Sequence, residues 1–156
     1  MRKTTILKVL LIVSSVGGTC AAATPSSDAD LNGGQVILSS AAGPIWLSLD
    51  RERGGLRTNL GSAGRGGAPL VAQTPVSDGA WHHVALVWDG ATRILSVDGV
   101  EVALRSAGQL ERVTGLQRFG AGPTLDSGRF WRGLIDDLRM YNRALSPEEL
   151  AGLGSF

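Results

Sequence analysis

Trp81-His82-His83-Val84-Ala85-Leu86-Val87-Trp88-Asp89-Gly90-Ala91-Thr92-Arg93-Ile94-Leu95-Ser96-Val97-Asp98-Gly99-Val100-Glu101-Val102 reads as three strands and two turns. Asp98-Gly99 permits positive φ at both central positions, the strongest short hairpin signal. It sets Val97 against Val100 and Leu95 against Val102. The turn at Asp89-Gly90-Ala91-Thr92 sets Leu86 against Leu95 and Val84 against Val97. Both turns therefore place Val84, Leu86, Leu95, Val97, Val100 and Val102 on one face. A slip of one residue would invert a strand, so the agreement of two turns fixes the register. The opposite face mixes Ser96 and Glu101 with Val87 and Ile94, the pattern of a sheet partly covered by other segments.

A second hairpin precedes this one. Around Arg51-Glu52-Arg53-Gly54, Leu49 pairs with Leu56, Leu47 with Thr58 and Ile45 with Leu60, which makes one apolar face. The other face carries Trp46, Ser48 and Asp50 beside Arg57 and Asn59. Further strands are expected near 35–39, 69–73, 100–104, 115–120 and 130–141. Ser146-Pro147-Glu148-Glu149 has an N-cap serine, a proline at the first helical position and a glutamate three residues after the cap, so a short helix follows with Leu150 and Leu153 turned inward. In the strand at 130–141, Trp131, Gly133 and Ile135 share one parity and Leu138 and Met140 the other. Burying all the bulky members on one side needs an extra residue, which predicts a β-bulge at Asp136-Asp137.

The whole chain agrees with this reading. It has 156 residues and 22 glycines, and glycine in excess without a collagen period belongs to turns. The length suits one domain. A single cysteine excludes a disulfide framework and a thiolate zinc site. A net charge of +1 offers nothing to nucleic acid. Residues 1–23 read as a signal peptide, with Arg2, Lys3 and Lys8 as the basic region, Val9–Val16 as a short apolar stretch, and Ala21-Ala22-Ala23 before the cleavage point. The apolar stretch falls well short of the ~20 residues of a membrane span. Cleavage after Ala23 leaves a chain with no lysine and no cysteine, and with twelve arginines against fourteen acids. Lipid attachment at Cys20 is a minor alternative, since Gly17-Gly18-Thr19 is a poor lipobox. Residues 24–34, TPSSDADLNGG, read as a polar linker, and 35–156 as the domain.

The run Trp81–Gly90 with Leu95–Val100, together with Phe130-Trp131-Arg132-Gly133-Leu134-Ile135-Asp136-Asp137-Leu138-Arg139-Met140-Tyr141 and the segment to Glu149, resembles laminin G-like, concanavalin A-like jelly-roll modules. The resemblance covers about residues 35–153. It implies an all-β fold, a two-sheet antiparallel jelly-roll sandwich with a short C-terminal helix. It also implies a secreted, periplasmic or cell-surface binding module for glycan or protein. Such modules open with a further segment that includes a strand near the C-terminal one. The signal and linker stand in its place here, so an unpaired edge beside the strand leading to Tyr141 is expected, closed by self-association or by a strand borrowed from a partner rather than by the polar residues 24–34.

Candidate sites follow from this reading. An aromatic face with fixed polar groups suits a sugar, which nominates Trp46, Ser48, Asp50, Arg57 and Asn59 as ligand-binding residues. Trp81, Trp88 and Trp131 are expected in the packing. Calcium is the ion the resemblance implies, with Asp136 its one nameable ligand, and no cofactor is otherwise required. Glucanases share the architecture, but their carboxylates alternate along one strand. Here Asp136-Asp137 are adjacent and Glu148-Glu149 open a helix, so no catalytic residue is named. A non-enzymatic module is expected, ahead of a structural component of an envelope protein and a degenerate glycoside hydrolase. His82-His83 point to opposite sides of a strand and make a poor chelate.

Overall fold

A computed structural model describes residues 5–13, 33–41, 45–60, 68–89, 91–106, 116–141 and 143–153. Its strands are β1 (Thr5–Val13), β2 (Gly33–Ser40), β3 (Ile45–Asp50), β4 (Gly55–Thr58), β5 (Leu70–Pro75), β6 (Trp81–Trp88), β7 (Thr92–Val97), β8 (Val100–Ser106), β9 (Gln117–Phe119) and β10 (Gly133–Tyr141), followed by the helix α1 (Pro147–Leu153). One sheet has the order β10-β1-β6-β7-β8 and the other β5-β4-β3-β2-β9. They form a sandwich. Its core holds Leu38, Leu47, Leu49 and Leu56 from one sheet and Val84, Leu86, Leu95 and Val97 from the other. Contact between β5 and β8 aligns those two edges, which leaves β9 and β10 at the opposite side.

The central hairpin has the expected register. Val84 faces Val97 and Leu86 faces Leu95, while Val97 faces Val100. Asp98 and Gly99 take φ values of 52° and 79°, as the two-residue turn requires. A side chain at Gly99 would be strained at that φ, and its Cβ would lie 3.2 Å from Ala151 Cα in α1. Gly99→Ala should therefore cost about 1–2 kcal/mol, read as a lower melting temperature. An unchanged melt would mean that α1 does not rest on this turn.

β8 departs from the expectation. Ser96 faces Glu101 but Leu95 faces Ala103 rather than Val102, so one extra residue sits in β8. Val102 and Ala103 pack against the core, whereas Val100 is exposed. A bulge on an edge strand re-aims side chains in this way.

The other face of this sheet is covered. Ala85 and Val87 join Leu145 and Leu150 in a second apolar cluster, with Ile94, Tyr141 and Leu153 against it. The helix starts with the expected box. Ser146 Oγ accepts from Glu149 N at 3.3 Å, and Glu149 Oε2 accepts from Ser146 N at 2.9 Å. Hydrogen bonds from the Arg143 guanidinium, then from Ser146 N–H, hold the Glu149 carboxyl down to about 2.

The N-terminal stretch corrects the expected sheet edge. Residues 5–13, read as part of a signal peptide, form β1, the strand between β6 and β10. The side of β10 expected to stand unpaired is thus paired, and β10 forms the sheet edge with its other side. The physical reason is plain: a short apolar run suits both a leader and a sheet strand. β1 runs parallel to both neighbours; the other pairings among the described residues are antiparallel. The proposed cleavage point after Ala23, Cys20 and most of the 24–34 stretch lie outside the described residues, and Gly33 and Gly34 already belong to β2.

The bulge in β10 is present. Lys8 faces Asp136 and Leu10 faces Arg139, so Asp137 and Leu138 together oppose Val9. Asp137 has a φ of 50°. Trp131 and Ile135 pack against the core. Leu138 and Met140 do not reach it and remain exposed, because the short β9 and the edge position of β10 leave little above them.

Candidate functional site

The five residues nominated for sugar binding come together, but as internal structure. All six residues of β3 and all four of β4 are buried, so both faces of this hairpin are covered. Trp46 is 6% exposed and belongs to the main core. Its ring has no free face for a sugar, which corrects the expectation of an exposed stacking platform. Asp50 closes the β3–β4 turn: its Oδ1 accepts from Glu52 N at 3.2 Å and Arg53 N at 2.9 Å. Its Oδ2 lies 3.7 Å from Arg57 Nη1. Ser48 Oγ donates to the Arg57 carbonyl at 3.5 Å, and Asn59 N donates to the Ile45 carbonyl at 3.2 Å. Polar groups beneath a covered face need partners; Ser48, Asp50 and Arg57 find them within their own hairpin, whereas the buried Trp46 Nε1 makes no hydrogen bond among the described residues.

Asp136 is exposed at the bulge, and its Oδ1 accepts from the Asp137 amide at 2.8 Å. Asp137 pairs with Arg139 at 2.8 Å. Calcium takes six to eight oxygens. Among the described residues no group of three or more His, Cys, Asp or Glu converges, and the carboxylate beside Asp136 in sequence, Asp137, is engaged by Arg139.

Reading residue by residue missed one polar cluster, built on the β6–β8 end of the sandwich. Asp98, at positive φ in the β7–β8 turn, accepts from His83 N with Oδ1 at 2.8 Å. Its Oδ2 lies 2.8 Å from His82 Nδ1, and Asp78 Oδ1 lies 3.0 Å from His82 Nε2. One imidazole thus spans two carboxylates, while His83 is buried behind it. The hairpin register was the available signal, because Asp98 N donates to the His83 carbonyl at 2.7 Å and so brings the carboxylate beside both histidines. Partial burial opposes the charge on His82, yet its hydrogen bonds to Asp98 and Asp78 outweigh this and raise its pKa above 6.5. The amide of Ala80, then His82, lowers that of Asp78. With both ring nitrogens used by separate carboxylates, the group is a clamp across a turn rather than a chelate.

Its pH dependence has a definite sign. A raised folded-state pKa stabilises fully below 6.5, and the contribution is lost as the pH rises through the higher folded value. The melting temperature should therefore fall across the neutral range, and His82→Gln should flatten the profile. A wild-type profile identical to that of the variant would show that the clamp carries no linkage.

Exposed apolar side chains have a pattern of their own. Phe119 on β9, Phe130 in the connecting loop, and Leu134, Leu138 and Met140 on β10 are all exposed. They lie on the β9–β10 side of the sandwich, where both sheets end. Trp81, expected in the packing, is also 39% exposed, whereas Trp88 is buried.

The match to a protein family agrees with the sandwich. A family model described as the concanavalin A-like lectin/glucanases superfamily, of laminin G type, matches residues 19–151. The chain is also similar to the crystal structure of an S-layer domain-containing protein (residues 221–444) from Clostridium thermocellum, at 21% identity and a TM-score of 0.42, over 90% of this chain and 70% of that one. In the described residues no helix is long and apolar enough to cross a membrane. From its two packed sheets, its hairpin registers and the match over most of its length, the chain belongs to the laminin G-like members of the concanavalin A-like lectin/glucanase superfamily.

Proposed function

We propose that the chain is an exported, non-enzymatic binding module whose ligand is a protein surface, engaged through the β9–β10 side. The supporting observation is the concentration of exposed Phe119, Phe130, Leu134, Leu138 and Met140 on that side. Exposed large apolar side chains gathered at one side of a domain point to a partner more than scattered ones do. Trp46, which would have led a glycan site, belongs to the main core, and Ser48, Asp50 and Arg57 beside it are buried. The non-enzymatic part of the reading draws on how the carboxylates are used. Asp50 closes a turn, Asp78 and Asp98 hold His82, Asp137 pairs with Arg139 and Glu149 with Arg143. Export draws on lysine confined to residues 1–8 and on the Ala21–Ala23 triplet.

Site-specific photo-crosslinking in the producing cell tests this reading. A crosslinker at Phe130 or Leu134 should trap one discrete protein, and the same crosslinker at Val100 on the opposite edge should not. The secreted chain should begin at Thr24 and leave a glycan array blank. Saturable binding to a glycan, or equal trapping from both edges, would overturn the proposed ligand; secreted material beginning at Met1 would overturn export.

A further inference from the structure

β6 and β10 both run parallel to β1, so they run parallel to each other with one strand's width between them. A strand in that gap is either parallel to both or antiparallel to both. β1 takes the parallel course, in a molecule whose other described pairings are antiparallel. The antiparallel course gives the slightly stronger ladder. Both faces around the gap are apolar: Val84 and Leu86 look into the main core, Ala85 and Val87 into the second cluster. On β10, Ile135 packs against the first cluster and Tyr141 against the second. An occupant must therefore be apolar at successive positions, not at alternate ones.

The superfamily match begins at residue 19, beyond β1. If the chain is exported and cut after Ala23, as proposed above, β1 is removed and the gap loses its strand. By sequence, the stretches TPSSDADLN at 24–32, GSAGRGG at 61–67 and AGQLERVTG at 107–115 are polar or glycine-rich and do not read as an apolar strand of that kind. Two open ladders flanking an apolar gap are a template for an added strand. We propose that the gap between β6 and β10 is a receptor for a strand donated by another polypeptide, apolar along about the nine residues of β1 and antiparallel to both neighbours. β1 then holds the gap until processing, and the donor closes the sheet afterwards.

The test starts from the full chain, so folding is not at risk. A protease site replaces residues 20–23 and is cut after folding, which leaves β1 held by pairing alone. A synthetic peptide TILKVLLIV, flanked by solubilising lysines and carrying a nitroxide at one end or the other, is then added. The peptide should displace the cut fragment with one-to-one saturation. Compared with protein emptied of the fragment, amide exchange in β6 and β10 should slow by at least about tenfold. A nitroxide at the peptide's N-terminus should broaden amides at the Trp88 end of β6; broadening at the Trp81 end would refute the antiparallel course. Three results would overturn the receptor itself: emptied protein whose β6 amides are already protected, emptied protein that pairs with a second copy through β6, or a cut fragment that no peptide displaces. These outcomes are independent of export, whose own failure shows as secreted protein beginning at Met1.

Discussion

Trp46→Ala should destabilise the domain by about 3–5 kcal/mol, the usual range for deleting a large aromatic ring from a core. A loss of that size is a large part of the ~5–15 kcal/mol by which whole domains are stable, so the variant should melt far below wild type or fail to fold. The ring is 6% exposed and shares a cluster with Leu47, Leu56 and Leu86. Trp81→Ala is the matched control: the same ring, 39% exposed at the start of β6, should cost far less. Trp46→Phe should fall between wild type and alanine, because it keeps much of the buried area. In chemical denaturation the midpoint should move while the slope stays near wild type, since the same surface is exposed on unfolding. A Trp46→Ala variant with an unchanged midpoint and lost affinity for a glycan would restore the stacking platform to the β3–β4 hairpin.

The contrast between these two tryptophans shows what alternation can and cannot reveal. Period-2 patterning separates the two faces of a strand but does not say what lies over either face. Trp46, Ser48 and Asp50 beside Arg57 have the composition of a solvated surface. A covered face whose polar groups satisfy one another has the same composition. The Asp50–Arg57 pair and the turn amides on Asp50 are that second case.

Where local chemistry fixes geometry, the sequence was legible. Asp98-Gly99 determined the β7–β8 turn, and the Asp89–Thr92 turn the β6–β7 register. A clash of parities in β10 located the bulge at Asp136-Asp137. Ser146 and Glu149 located the helix start. β1 was illegible for the opposite reason. Its pairing is non-local, joining residues 5–13 to strands about seventy-five and a hundred and thirty positions away, and its apolar run satisfies the leader pattern equally well. The apolar β9–β10 side was not legible, since the open edge was expected on the side of β10 that β1 occupies. The side on which cover fails depends on the sheet order, which no single strand reveals.

Arg93 should prove the most sensitive polar residue. It lies in β7 opposite Trp88 and is fully buried, a rare situation for arginine. Its Nη1 donates to the Leu60 carbonyl at 2.7 Å and its Nη2 to the Ala68 carbonyl at 3.0 Å. One planar guanidinium thus ties the end of the β3–β4 hairpin to the approach to β5, on either side of the glycine-rich stretch 61–67. A lysine has no fork and cannot hold two carbonyls in fixed directions. Arg93→Met keeps most of the apolar stem, so the loss it reports is that of the donors and of their effect on two buried acceptors. Hydrogen bonds from charged groups are worth about 1.5–3 kcal/mol each, which puts the expected loss near 3–5 kcal/mol for methionine and between that and wild type for lysine. The tie also has a local signature. Limited proteolysis of the methionine variant under native conditions should cut within 61–67 well before global unfolding, and amide exchange at Leu56–Leu60 and Leu70–Ala72 should accelerate together. If the methionine variant melts within about 1 kcal/mol of wild type, a difference ordinary for point substitutions, the two carbonyls are held by something other than this guanidinium.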